Sequence, residues 1–174
     1  MTYKFKTLAV LMAMCGVLLS TSQNAEAATS SSAHTYPNGT HALYTVTYTL
    51  RAFGNDMYVP AVTAREFNTA ATGTHGAGYT LIDGDMHHSA SGKTYGALLS
   101  TSTLNAEGMY KIPEGQSRTF TLAVLFDNTG GRYDDYQLAL WHILFSASQT
   151  PGTLESDTVS AQKYRTPRVV VGSK

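Results

Sequence analysis

LYTVTYTLRAF at residues 43–53 is the stretch from which the architecture follows. One parity holds Tyr44, Val46, Tyr48, Leu50 and Ala52, and the other holds Thr45, Thr47, Thr49 and Arg51. Successive side chains of a strand point to opposite faces, so this alternation describes a strand with one apolar face and one wet face. Its β-branched and aromatic residues suit a pleated, half-buried surface. SRTFTLAVLF at 117–126 repeats the pattern, with Phe120, Leu122, Val124 and Phe126 against Thr119 and Thr121.

Working outward, 57–59 reads as a short strand stopped by Pro60, and 79–82, 95–104 and 109–112 as further strands. Turn chemistry separates them: Gly54-Asn55-Asp56, then Pro113-Glu114-Gly115-Gln116, then the glycine pair within 127–132. Residues 136–146 are apolar on both parities, and 164–171 form a closing strand interrupted by Pro167. The segments 68–78 and 83–94 are small and polar and read as loops. No long stretch carries the helical period. The pattern predicts an all-β chain, an antiparallel β-sandwich of about seven to nine strands.

The N-terminus reads differently. Lys4 and Lys6 precede a 13-residue apolar run, 7–19, and Ala25-Glu26-Ala27 has the small-x-small form of a signal-peptidase site. Thirteen apolar residues are too few to span a bilayer, which takes about 20. The expected organisation is a signal peptide at 1–27 cleaved after Ala27, a Ser/Thr-rich leader at 28–41 that is flexible or a weak first strand, and a domain at 42–174. The expected product is secreted, extracellular or in the cell envelope. It has 147 residues, ten basic and eleven acidic groups, and no cysteine, since Cys15 lies in the leader. No second apolar segment follows, so no membrane span is expected in the mature chain. Near-neutral charge argues against a nucleic-acid partner, and the lack of cysteine excludes thiol catalysis and Cys-ligated zinc.

AFGNDMYVPA at 52–61, MYKIPEGQSRTFTLAV at 109–124, YQLALWHILF at 136–145 and YRTP at 164–167 occur in an order that resembles immunoglobulin-like β-sandwich modules of secreted and cell-surface proteins from uncultured bacterial lineages. The resemblance covers roughly 42–171 and implies a fold rather than a chemistry. Tyr136, just ahead of a strongly apolar strand, resembles the tyrosine corner of such folds. Some of these modules accompany peptidoglycan-binding or adhesive regions, whereas this chain has no room for a second domain.

Two polar clusters are candidate metal loops. Asp83, Asp85, His87 and His88 combine carboxylates with imidazoles, and Asp127 and Asp134 flank a Gly- and Asn-rich turn. The first has neither EF-hand nor HExxH spacing, and the second could supply some of the oxygens of a calcium loop. The plainer reading is a pair of solvated turns and no cofactor. No GxSxG elbow or phosphate-binding glycine loop is present, so no catalytic residue is assigned and no enzymatic activity is expected.

In 136–145, one parity carries Tyr136, Leu138, Leu140 and Leu144, and the other carries Ala139, Trp141, Ile143 and Phe145. With Tyr136 inward, Trp141, Ile143 and Phe145 point outward and are the candidate partner-binding residues. A β-bulge near His142 is the alternative: it would turn Ile143 and Phe145 inward and leave Trp141 out. The expected function is a non-enzymatic adhesion, matrix or envelope-associated binding module, with a protein or polysaccharide partner at the cell surface or self-association. A carbohydrate-binding domain is the alternative and a small secreted hydrolase the third reading.

Overall fold

The alternation of the two long segments is realised as a continuous antiparallel ladder. The computed structural model describes residues 30–65, 75–84, 92–149, 155–157 (backbone only) and 164–173. Within them β1 (Ser30–Thr35), β2 (His41–Arg51), β8 (Ser117–Asp127) and β6 (Lys93–Ser100) form one sheet in the order β1-β2-β8-β6. β2 and β8 pair antiparallel over their full length, from His41 opposite Asp127 to Arg51 opposite Ser117. The register places Tyr44 opposite Val124 and Tyr48 opposite Phe120. These inward side chains are fully buried. The outward parity is hydroxyl-rich and hydrogen-bonds across strands, with Thr47 Oγ1 3.1 Å from Thr121 Oγ1 and Ser32 Oγ 2.7 Å from Thr45 Oγ1.

Residues 30–35, expected within the leader, are strand β1, paired with β2 over six residues. The Tyr36–Thr40 turn makes that possible. Pro37 and Asn38 form the corner, and Gly39 takes φ +73°, which a side chain would strain.

The second sheet is built on β9 (Asp134–Phe145). One side of β9 pairs with β5 (Ala77–Ile82); the other meets β11 (Val169–Val171) at its start and β10 (Glu155–Asp157) at its end. Between those two, Leu140 N donates to Tyr164 O and Thr166 N to Leu138 O, each at 3.0 Å. A short β4 (Thr63–Arg65) pairs with β5 in parallel, an exception to the antiparallel expectation. β3 (Met57–Pro60) and β7 (Met109–Ile112) pair with each other. The Tyr58 and Ser146 backbones exchange two 2.8 Å bonds, which tie this pair to the end of β9. Eleven strands are thus described where the sequence pattern predicts seven to nine; those the pattern does not place are β1, of six residues, and β4 and β10, of three each.

The described residues are all-β, in several mainly antiparallel sheets over one apolar cluster, consistent with a β-sandwich. Aromatic rings fill it. Tyr48 stacks on Phe120 at 5.7 Å and meets Tyr164 edge-on at 6.4 Å, and Phe126 tilts on Tyr136 at 5.0 Å. Such pairs contribute beyond their buried area. No helix among the described residues is long and apolar enough to cross a membrane.

β6 stands at the end of its sheet, and two side chains attend to its backbone. Tyr110 Oη donates to Leu98 O at 2.9 Å, and Arg65 Nη1 donates to Gly92 O, just ahead of the strand, at 2.9 Å.

Candidate functional site

The three residues proposed as an outward apolar face do not form one. Opposite β5 the register shifts: Gly78 faces His142 while Tyr79 faces Leu140, so Trp141 is the extra residue of a bulge. The shift turns Ile143 and Phe145 into the shared core, at 0% and 5% exposure. Trp141 remains half-buried, edge-on to the His142 ring at 6.0 Å. Leu144 and His142 are buried as well. Both parities of this part of β9 are therefore inside, and the outward expectation for Ile143 and Phe145 is corrected.

The two candidate metal loops, some fifty residues apart in sequence, meet in space. Gly84 lies so close to Asp134 and Asp135 that a side chain there would collide with both carboxylates. Arginines supply the positive charge. Arg168 Nη1 lies 2.9 Å from Asp135 Oδ2 and donates to Asp83 O at 3.2 Å, and Arg132 Nε lies 3.4 Å from Asp134 Oδ2. Asp134 Oδ1 accepts from Asp135 N at 2.9 Å. Asp127 is engaged elsewhere. It accepts from Thr129 N at 2.9 Å and faces His41 Nε2 at 3.5 Å. Hydrogen bonds from Thr129 hold its carboxyl below the usual range. Among the described residues no group of three or more His, Cys, Asp or Glu is placed to hold a metal. Asp85, His87 and His88 lie outside the described residues.

Behind this cluster, the turn between β8 and β9 is locked by a buried amide. Asn128, fully buried, reaches Arg132 O at 2.9 Å, Val171 O at 3.2 Å and Tyr136 Oη at 3.3 Å through Nδ2. Tyr136 Oη donates to Arg132 O, four residues upstream, at 3.0 Å. Desolvation raises the pKa of the Tyr136 hydroxyl, and the Asn128 hydrogen bond opposes the rise.

This frame carries a feature that the sequence reading did not single out. Two clefts open on either side of the Tyr36–His41 turn and share Asn38. One, of about 540 Å³, is lined by residues including Thr35, Thr40, Tyr133, Val170 and Ser173. The other, of about 350 Å³, lies between Tyr36, His41 and Leu125. Tyr36 is 40% exposed and Tyr133 47%. Four backbone bonds clamp the turn: Gly39 N to Tyr36 O, Tyr36 N to His41 O, Gly172 N to Gly39 O and Asn128 N to Thr40 O, each 2.9 Å.

The side chains of the turn are fixed too. Asn38 Oδ1 accepts from Thr40 N at 3.2 Å, which directs Nδ2 to His41 Nδ1 at 2.8 Å. An amide nitrogen only donates, so Nδ1 accepts and the imidazole proton sits on Nε2, facing Asp127. Pro37-Asn38-Gly39 was legible as a turn, but nothing in the spacing brings Tyr133 beside it. Comparison with protein-family models, curated proteins and solved structures finds no match to this chain.

Proposed function

We propose that the chain is an exported, non-enzymatic binding module of the cell surface or its surrounding matrix. The observation that carries this reading is the pair of clefts at the Tyr36–His41 turn, set on a frame clamped by backbone bonds and by Asn128. A pre-formed concavity loses little freedom on binding and suits recognition. Export rests on the leader at 1–27. A cysteine-free mature chain then folds on core burial alone, which a chain of about 150 residues can sustain. The finer architecture proposed is immunoglobulin-like, as in surface modules of uncultured bacterial lineages. The Tyr136-to-Arg132 hydrogen bond across four residues supports it, being the geometry of a tyrosine corner.

Two measurements test the reading. Expression of the full chain in a secreting host should yield a product beginning at Ala28, and a retained Met1 or a lipid on Cys15 refutes the proposed processing. The purified product should co-sediment with envelope material of the producing cells, and recovery wholly in the supernatant refutes the surface-binding role.

A further inference from the structure

We propose that the end of the sandwich bearing Tyr36 and Tyr133 binds an uncharged oligosaccharide laid across the Pro37–Thr40 turn. This rests on the binding-module reading and names its ligand class. Both are open hollows, of about 540 and 350 Å³, and they share Asn38, so one extended ligand can lie across both. Tyr36 exposes a ring at one and Tyr133 at the other. The tyrosines of the core, Tyr44, Tyr48, Tyr79, Tyr136 and Tyr164, are buried. The two at the clefts instead offer rings to water. An aromatic face carries negative charge density and attracts the C–H face of a sugar ring.

Each lining mixes polar with apolar groups, Asn38 being common to both. In the larger cleft Ser173 brings a hydroxyl, while Thr35 Oγ1 donates to Val170 O and Thr40 Oγ1 meets His41 Nδ1; Asn38, shared by both, brings an amide already oriented by Thr40 N and His41 Nδ1. Among the described residues no lysine or arginine lines either cleft. His41, in the smaller lining, faces Asp127. The described lining therefore favours an uncharged chain over an acidic one. A peptide strand finds no open ladder on the turn. The carbonyls of Tyr36, Gly39 and Thr40 already accept backbone bonds, whereas strand addition needs such groups free.

The test is calorimetric titration of the purified chain with cellohexaose, chitohexaose, xylohexaose and mannohexaose, followed by analysis of the recovered sugar. At least one should bind saturably and be recovered uncleaved. Tyr36→Ala and Tyr133→Ala should each weaken that binding about tenfold, as expected for loss of an aromatic platform. Tyr36→Phe should retain it. Tyr95→Ala, which removes a 58%-exposed ring from β6, should leave it unchanged. Circular dichroism shows that each variant folds. The assignment is overturned if none of the four sugars binds, if both cleft variants bind like wild type, or if Tyr95→Ala weakens binding equally. Co-sedimentation with envelopes but no sugar binding overturns the ligand class and leaves the module reading standing. Loss of both removes both.

Discussion

The β1-β2-β8-β6 sheet keeps its two faces distinct, whereas β9, at the centre of the second sheet, buries both. In β2 and β8 every second residue is inside and the intervening threonines and serines meet water or each other. In β9 alternation holds from Tyr136 to Leu138 and then stops, with all residues from Leu138 to Ser146 buried except Trp141. A strand's period reports which side is wet only where one side is wet. Once strands pair along both edges of β9 and its second face is covered, polarity carries no information about direction. The bulge then resets the parity without any glycine or proline in β9 to announce it.

The largest test of the contrast is alkaline pH. Tyr44 and Tyr48, on the inner face of β2, have pKa values raised chiefly by desolvation. An unfolded tyrosine titrates near pH ~10. A group whose folded pKa is raised contributes stability that is complete below its unfolded pKa and is lost as pH climbs toward the folded one. Above about pH 10 the unfolded chain sheds protons that the folded chain retains, and stability falls by up to about 1.4 kcal/mol per pH unit for each such tyrosine. Urea midpoints should decline steeply above that pH, with tyrosinate absorbance from these residues appearing only with unfolding. A midpoint flat into strong alkali would show that the inner face of β2 admits water.

Next come truncations on the two sheets. Phe120→Ala removes a fully buried ring stacked on Tyr48 and should cost about 3–5 kcal/mol, whereas Thr121→Ala, one residue on, loses only the hydroxyl bond to Thr47 and should cost no more than about 1 kcal/mol. On β9 the adjacent pair should not show that contrast. Ile143→Ala and Leu144→Ala should both cost about 2–5 kcal/mol, because both are buried. Equilibrium urea unfolding measures all four, and a near-neutral Ile143→Ala would restore the outward parity.

Asn128→Ala is expected to cost about 2 kcal/mol, because Val171 O and Arg132 O lose a donor in a buried site. Trp141→Ser should cost less than the buried truncations, under about 1.5 kcal/mol, because the bulge leaves the ring half-buried. Trp141 is the single tryptophan of the chain, so its fluorescence reports this site alone. Acrylamide should quench it partially, and complete protection would mean that the ring is enclosed.

The same contrast explains what was legible. The threonine/apolar alternation of 43–53 and 117–126 is written by a sheet with one wet face, and it emerged with the expected parity. Pro60, Pro113 and Pro167 marked ends because proline lacks a ladder donor. β1 was easy to miss: its serines bury little, and its pairing depends on the Pro37-Asn38-Gly39 corner. The convergence of Asp83 with Asp134 and Asp135 was hidden, because it is made by the β5–β9 pairing across some fifty residues rather than by local spacing. The approach of Tyr133 to the 36–41 turn is equally a product of chain return, through Gly172 and Asn128.

The hydroxyl of Tyr110 has a consequence for how crowded copies of this chain behave. β6 carries Tyr95 and Leu99 outward, 58% and 57% exposed, in a strand with Gly96 and Ala97 between them. Sticky, thinly clad strands of this kind are where fibrils nucleate, as one molecule's unspent carbonyls recruit the amides of the next. Tyr110 occupies the Leu98 carbonyl, and Arg65 the Gly92 carbonyl just ahead of the strand. With that phenolic proton in place, the Leu98 carbonyl is one acceptor fewer for the strand of a second copy to claim.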